Sequence, residues 1–431
     1  MLTICRLARC LNVAPARTDG PVRGFTIDSR EAGPGDLFFA LPGVATHGGE
    51  HAAEAEAAGA VAVVSRDYAE AGRLVVPDVR GALWAAAELR RAEFGGTVVA
   101  VTGSVGKTTT RRLLASVLRR VGETVESRQN FNNDLGVPLT LGRLGPHVRF
   151  AVVEVATSGK GEVAKLASLC RPHAAVVTAA SPSHLDGLGD LAGVVREKAS
   201  LAEHVAASGF VVHGGDRRLA VAIRHPAVVA AVSEDPRTDG DETTFRVSGA
   251  TFTLRLPGRH FAACGAIAVT TARRLGVADK VIAAGLLEVP PEAGRCVPRD
   301  VGGVRLIDDA YNANPGSLAA AARLLVDTPA RRRTLILGDM LGLGDAAERL
   351  HEDAGRSLPE KIERVVAVGP LAAIAAAASP ARTLLASTPE QAAAACDARP
   401  GDAVLIKGSR ATRMDRCVEA LAKRLASVAD A

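Results

Sequence analysis

The sequence predicts an α/β protein of three domains, and three observations carry that reading. The chain has 431 residues, whereas a single core stops growing at about 250–300. Short apolar runs alternate with helical stretches along most of its length, the pattern of parallel strands covered on both faces. A glycine pair at 95–96 and a fresh strand–helix series opening near 302 divide the chain into 1–93, 94–297 and 298–431.

Composition narrows the class. Hydrophobic residues make up 48% and charged residues 23%, which is globular and not disordered. Aromatics are only 3%, so the cores must be aliphatic. A net charge of +5, with 52 basic against 47 acidic side chains, is too mild for a nucleic-acid surface. The longest basic cluster, Arg331-Arg332-Arg333, reads as a solvated connection. Seven scattered cysteines without a C-x-x-C pair read as free thiols of a reducing compartment. The opening MLTICRLARCLNVA has no long apolar run. No stretch reaches the roughly 18–20 apolar residues of a membrane span. A cytoplasmic, soluble protein without membrane insertion is expected.

In the first domain, FTIDSR, DLFFALPG, AVAVVS and RLVV read as strands among alanine-rich helices, and a helix over 86–96 ends at the glycine pair. The second domain opens with strand 97–102, loop 103–107 and an amphipathic helix over 108–121. Leu113, Leu114, Val117, Leu118 and Val121 form the apolar face of that helix, with Arg111, Arg112, Arg119 and Arg120 mostly outside it. Further strands are expected at 150–156, 174–180 and 209–215. The third domain reads as a Rossmann-like alternation: strand 302–310, helix 316–327, strand 334–338, helix 345–357, strand 364–369, helix 371–378, strand 382–387, helix 389–397 and strand 403–409. No G-x-G-x-x-G follows its first strand, so a dinucleotide is not implied.

Chemistry enters at Thr102-Gly103-Ser104-Val105-Gly106-Lys107-Thr108-Thr109-Thr110. Val101 stands where the full Walker pattern has its first glycine, so the match is to the shorter G-x-x-G-K-[ST]. An apolar strand before it and an amphipathic helix after it supply the context the mechanism requires. Backbone N–H groups of Gly103, Ser104, Val105 and Gly106 can converge on phosphate oxygens, Lys107 can reach the outer phosphates, and the hydroxyls of Thr108 and Thr109 stand at the helix start. ATP is the expected nucleotide. The loop alone leaves kinase, ATPase motor and ligase open.

About twenty residues on lies NFNNDLGVPLTL, residues 130–141, where Asn130, Asn132 and Asn133 precede an expected Gly-Val-Pro turn. Amides both donate and accept hydrogen bonds without adding charge, which suits a polyanionic substrate, although local Asx bonding would account for one of them. Together with IDSREAGPGDLFFALPG (27–43), GEVAKLA (161–167), SPSHLDGLGD (181–190), IDDAYNANPGS (307–317), LGDMLGLGD (337–345) and IKGSRATRM (406–414), these motifs resemble the Mur ligases nearly from end to end. Within that family they are most similar to the branch that adds D-alanyl-D-alanine to UDP-N-acetylmuramoyl-tripeptide.

The resemblance implies an N-terminal UDP-sugar domain, a central P-loop ATPase domain and a C-terminal domain that brings the amine. It implies an acyl phosphate made from ATP, in the synthesis of peptidoglycan precursors. Mg²⁺ is the expected metal, since phosphates and carboxylates are hard ligands, with Thr108, Glu154 and His184 as its ligands by resemblance. Lys198, in VVREKASL, matches the family's carbamylated lysine; by pattern alone it is an ordinary exposed helical lysine. His260, Arg295, Asp309, Tyr311, Asn312 and Asn314, with Asp308 beside them, match the nucleotide site. Asp28, Ser29 and Arg30 match the UDP-sugar loop. Lys407, Ser409 and Arg410 form a turn able to clamp phosphate or carboxylate, or by pattern alone a solvated basic turn. One chain is expected to act as a monomer on small molecules, without nucleic acid. The match departs at Phe261 and Cys264, where amides are usual, at Gly342, where an acid is usual, at His47-Gly48-Gly49 and at VATSGKGE (155–162). A paralogue joining another carboxylate and amine, and a non-catalytic nucleotide-binding homologue, are the alternative readings.

Overall fold

The structure, a computed structural model, describes residues 2–16, 19–44 and 46–429. After α1 (Ile4–Leu11) come four parallel strands lying in chain order: β1 (Phe25–Thr26), β2 (Leu37–Phe39), β3 (Val61–Val64) and β4 (Leu74–Val75). Helix α2 (Ala52–Ala57) precedes β3, and α3 (Val79–Glu93) follows β4. Side chains alternate across this sheet as the pleat requires. Phe39, Val63 and Leu74 join the core under α1 and α3, while Phe38, Ala62 and Val64 pack with Ala52 and Ala55 of α2. Helix α3 starts where Asp78 accepts a hydrogen bond from Arg80 N–H. It ends two residues before the predicted glycine pair, because Phe94 is already extended.

The central sheet has six parallel strands: β5 (Thr97–Thr102), β6 (Thr124–Glu126), β7 (Phe150–Glu154), β8 (Ala174–Val177), β9 (Phe210–His213) and β10 (Val228–Ala230). Their spatial order is β10-β9-β8-β5-β7-β6. The chain therefore leaves β5 to one side through β6 and β7 and to the other through β8, so the crevice at its carboxyl end is a switch point. The crossovers are α4 (Lys107–Arg119), α5 (Gly136–Gly142), α6 (Glu162–Cys170), α7 (Leu185–Leu188), α8 (Leu191–Ala199) and α9 (Arg217–Ala222). The strands predicted at 150–156, 174–180 and 209–215 stop at 154, 177 and 213, and Ala156, Thr178 and Ala179 just beyond the first two border the crevice.

Two local readings are corrected. Gly136-Val137-Pro138 is the first turn of α5 and not a free turn. Proline is tolerated there because the first N–H groups of a helix have no intrahelical acceptor. Arg111 is not on a solvent face. It is 3% exposed, because α4 is enclosed by β7, α10 (His260–Arg274) and α11 (Asp279–Leu287).

A three-stranded antiparallel sheet, β11 (Glu234–Asp239), β12 (Glu242–Val247) and β13 (Ala250–Leu254), was not anticipated from the sequence. It buries Phe245 and Phe252 toward α10. The C-terminal sheet runs β14-β15-β19-β16-β17-β18, with β14 (Val297–Val301) antiparallel and β15 (Val304–Asp309), β16 (Arg333–Gly338), β17 (Arg364–Val368), β18 (Arg382–Ala386) and β19 (Ala403–Lys407) parallel. Its first helix, α12 (Pro315–Asp327), faces the central sheet across the crevice. One apolar cluster runs from Val99 and Leu113 through Phe261 and Ile267 to Leu318 and Leu335, so the two large sheets share a core. Among the described residues no helix is long and apolar enough to cross a membrane.

Candidate active site

A cavity of about 690 Å³ opens between the carboxyl end of the central sheet and the start of α12. The glycine loop forms its floor. Gly103 has φ +147°, and a Cβ there would lie 1.9 Å from Thr178 Oγ1, while Gly106 has φ +78°. Only glycine meets both demands, so the loop turns tightly under the N-terminus of α4. Ser104 fixes it from the side: its N–H donates to Ala179 O (2.8 Å) and its hydroxyl to Ser181 O (2.9 Å). Thr178 Oγ1 donates to Val105 O (2.5 Å). Lys107 folds back so that Nζ donates to Gly103 O (2.7 Å). Burial pushes its ammonium below the ordinary lysine range, Glu154 opposes that, and Arg295 adds to it. Thr108 and Thr109 follow as the first buried turn of α4.

Glu154, at the end of β7, is the polar centre of the floor and is 1% exposed. Its Oε1 accepts from Asn132 Nδ2 (2.9 Å) and Thr108 Oγ1 (3.3 Å). Arg111 Nε lies 3.4 Å from Oε2. Neither of those two atoms has a hydrogen-bond partner, so the contact is a charge pair without alignment. Asn133 does different work from Asn132. Its Oδ1 accepts from the N–H groups of Leu135 (3.2 Å) and Gly136 (3.0 Å), which caps α5 in the local manner of an Asx residue. Asn130 is exposed and also borders the cavity.

His184 and Lys198 make a second group beside the loop. His184 borders the cavity at the head of α7, with φ 53°. Burial lowers its pKa, and the charges of Lys198 and Lys107 lower it further, which favours a neutral imidazole. Lys198 is 1% exposed on α8. Burial first and the Lys107 charge second bring its ammonium down to about 7, against the opposing pull of Glu197 and Glu162. It is therefore not the exposed lysine that its local pattern suggests.

The C-terminal wall holds the remaining residues matched to the nucleotide. Arg295 Nη2 donates to Thr108 Oγ1 (3.1 Å), and its guanidinium lies over the Tyr311 ring at 4.1 Å. Lys407 Nζ donates to Asp309 Oδ2 (2.5 Å) and Asn312 O (2.9 Å). Asn314 borders the cavity and caps α12 by accepting from Ser317 N–H (2.9 Å). His260 is half-buried, and desolvation brings its imidazole down to about 4, with Nε2 3.8 Å from Cys296 Sγ. Cys264 Sγ lies 3.8 Å from Gly106 O, so this part of the wall is apolar where the resemblance led us to expect amides.

The turn 407–410 is divided. Lys407 borders the cavity and is already ion-paired. Ser409 Oγ accepts from Leu341 N–H (2.8 Å), and Arg410 lies 5.5 Å from the Tyr311 ring on the outside. Gly342, with φ +74°, accepts from Leu185 N–H (2.8 Å), so the glycine at this usually acidic position lies where the loop after β16 meets the start of α7. Asp28, Ser29 and Arg30 lie in a second cavity between the first and central domains. Arg30 is bound to Asp28 through Nε (2.8 Å) and Nη2 (2.6 Å), and Ser29 Oγ donates to Glu54 (2.6 Å). Arg128 and Arg143 are the other cations of that cavity.

The chain matches three descriptions in succession: the Mur ligase family catalytic domain over residues 21–93, the Mur ligase middle domain over 101–271, and the Mur ligase glutamate ligase domain over 294–410. It is 34% identical over 389 residues to the UDP-N-acetylmuramoyl-tripeptide–D-alanyl-D-alanine ligase of Escherichia coli, covering 85% of this chain and 86% of that one. This chain is a Mur ligase. Its similarity to the ligase of the same name from Bacillus subtilis is 30% over 440 residues, 93% of either chain. Among solved structures, MurF from Acinetobacter baumannii superposes with a TM-score of 0.86 at 28% identity, covering 97% of this chain and 98% of that one. MurF from Thermotoga maritima in complex with ADP gives 0.83 at 26%, covering 94% and 99%.

Three residues of this Mur ligase escaped the sequence reading. Arg111, the charge partner of Glu154, sits three and four residues after Thr108 and Lys107, on their face of the helix, and that spacing was the available signal. Glu197 is 7% exposed and accepts from Gly161 N–H (2.8 Å) and Val163 N–H (2.8 Å), pinning the loop that follows β7. Cys296 packs against His260. No local signal marks the last two.

The donor set fits a magnesium ion. Glu154 Oε2 is a buried carboxylate oxygen without a hydrogen bond, and Thr108 Oγ1 lies 3.3 Å from the other oxygen. Among the described residues no three His, Cys, Asp or Glu side chains converge as a self-sufficient cage.

Proposed function

We propose that this Mur ligase joins D-alanyl-D-alanine to UDP-N-acetylmuramoyl-tripeptide through an acyl phosphate, with ADP and phosphate released, as a cytoplasmic step of peptidoglycan precursor synthesis. The observation that carries the reading is one cavity in which the glycine loop, Glu154 and His184 come together under a wall from the C-terminal domain. The names of the relatives above support the substrate assignment.

The nucleotide lies along the loop. Gly103 to Thr109 supply backbone donors and the helix N-terminus. Arg295, Tyr311, His260, Asn312 and Asn314 line the same cavity and would hold the rest of the nucleotide. Asp309 orients Lys407 toward the same cavity. Thr108 and Glu154, with His184 nearby, would hold the magnesium ion, which would supply positive charge toward phosphate oxygens. Lys107 adds charge where the phosphoryl group is transferred.

The substrate carboxylate attacks the γ-phosphorus, and ADP leaves. The amine then attacks the carbonyl carbon, and phosphate departs with one carboxylate oxygen. Lys198 suits the carbamylated role in a physical sense: an amine with a pKa near 7 is substantially unprotonated and so able to add carbon dioxide at neutral pH. Ser29 and Arg30 hold the uridine end, while Asn130 and Asn132 line the path of the peptide. The residues named above all belong to one chain, which supports the reading that it works as a monomer.

The test is phosphate release from ATP with UDP-N-acetylmuramoyl-tripeptide, with and without D-alanyl-D-alanine. Release that needs both supports the proposal. Turnover only with another acid–amine pair identifies a paralogue, and nucleotide binding without any turnover refutes catalysis.

A further inference from the structure

The two cavities share one strip of chain. Arg128 and Phe131 border the first–central cavity, and Asn130, Asn132, Asn133 and Asp134 border the large one. A substrate with its uridine end in one and its reacting carboxyl near Glu154 must pass this strip. Helix α3 of the first domain grips it there: Arg80 Nη1 donates to Asp134 Oδ2 (2.8 Å), and Trp84 Nε1 donates to Asp134 O (2.8 Å).

Lys165, on α6, completes the crossing. Its Nζ lies 4.7 Å from the centroid of the Trp84 ring, and its side chain borders the large cavity. The acids beside it are engaged elsewhere. Asp134 is paired with Arg80, and Glu162 accepts from Ser158 N–H (2.7 Å) and Gly159 N–H (3.2 Å). Among the described residues no carboxylate pairs with the Lys165 ammonium. The other cations of the cavity are committed to the loop or to partners: Lys107 to Gly103 O, Lys407 to Asp309 and Arg295 to Thr108. An exposed ammonium held by a flat ring can leave it for an anion at little cost.

We infer that Lys165, seated on Trp84, is a specificity residue that binds a free carboxylate of the acceptor peptide on its way to the reacting centre. The inference rests on the reading that the acceptor is a UDP-muramoyl-tripeptide. Two carboxylates share this chemistry: the one left free on the glutamyl residue, and the side-chain carboxylate of a 2,6-diaminopimelyl third residue, which a lysyl residue lacks.

The experiment compares wild type, Lys165→Met and Lys165→Arg with diaminopimelyl and lysyl acceptors, measuring KM for each substrate and kcat. Lys165→Met should raise KM for the acceptor about tenfold, with kcat and the KM for ATP and for D-alanyl-D-alanine within twofold of wild type. Lys165→Arg should restore most of the affinity. A loss confined to the diaminopimelyl acceptor assigns the side-chain carboxylate, and an equal loss on both assigns the glutamyl one. Unchanged acceptor KM in Lys165→Met, with wild-type turnover intact, overturns the inference alone. Absence of wild-type turnover with either acceptor overturns the assigned function and this inference together.

Discussion

Replacing Glu154 with glutamine separates the structural from the chemical work of its carboxylate. The side chain keeps its shape and its bonds to Asn132 and Thr108. It loses the negative charge 3.4 Å from the buried Arg111 guanidinium. Two unit charges at that separation attract by about 5 kcal/mol at an effective dielectric of about 20. The contact is unaligned, and Arg111 keeps Glu126 at 3.4 Å, so most of that attraction is not forfeited. The net loss is about 2 kcal/mol, below the 3–5 kcal/mol typical when one partner of a buried pair is removed. For a chain of 431 residues unfolding as one unit that lowers the thermal midpoint by about 2 °C. Calorimetry and a phosphate-release assay on Glu154→Gln and on Glu154→Gln with Arg111→Met make the test. The double variant should recover most of the midpoint, while turnover stays down at least about 100-fold in both. Wild-type turnover in Glu154→Gln, or activity returning together with stability in the double variant, refutes the reasoning.

Three further outcomes are expected. Lys107→Ala should abolish turnover and leave the circular dichroism spectrum unchanged, since its one hydrogen bond is to Gly103 O within its own loop. Asn133→Ala should cost about 1 kcal/mol in denaturant unfolding, the usual value of a lost N-terminal cap, because the N–H groups of Leu135 and of Gly136, the first residue of α5, lose their acceptor. Lys198 as the free amine, before any carbon dioxide is added, binds its proton less tightly folded, near 7, than unfolded, at about 10.4. The unfolded chain then carries more protons across that window, so this residue's contribution makes stability rise with pH by up to about 1.4 kcal/mol per unit. That cost is absent above the unfolded value and grows as pH falls toward 7. The difference in unfolding free energy between wild type and Lys198→Met, followed by denaturant titration from pH 7 to pH 10, should therefore shift in favour of wild type as pH rises.

Much of this was legible in the residues. The glycine loop was recognisable because its demands are local: two glycines, a lysine and a following helix. The strand–helix alternation gave both large sheets, since buried parallel strands read as short apolar runs. The antiparallel β11–β13 sheet was missed although TTFRV and TFTL do alternate, because β11 itself, EDPRTD, is polar and has no buried residue. Asn132 and Asn133 are adjacent and equivalent as letters, yet one touches Glu154 and the other caps α5. That division depends on where β7 ends, which no spacing within the asparagine stretch encodes. Lys407 read as a free cation for the same reason. Its neutralising partner, Asp309, is 98 residues away in the chain and adjacent only through the pairing of β15 with β19.

The claim at the centre of this account is that the peptide carboxylate attacks ATP directly beside Glu154 and the glycine loop. Turnover with an acceptor tripeptide carrying ¹⁸O at both oxygens of its reacting carboxyl group tests it most directly. Mass spectrometry of the released phosphate should find one ¹⁸O atom for each amide bond made. Amide formation with unlabelled phosphate would contradict it.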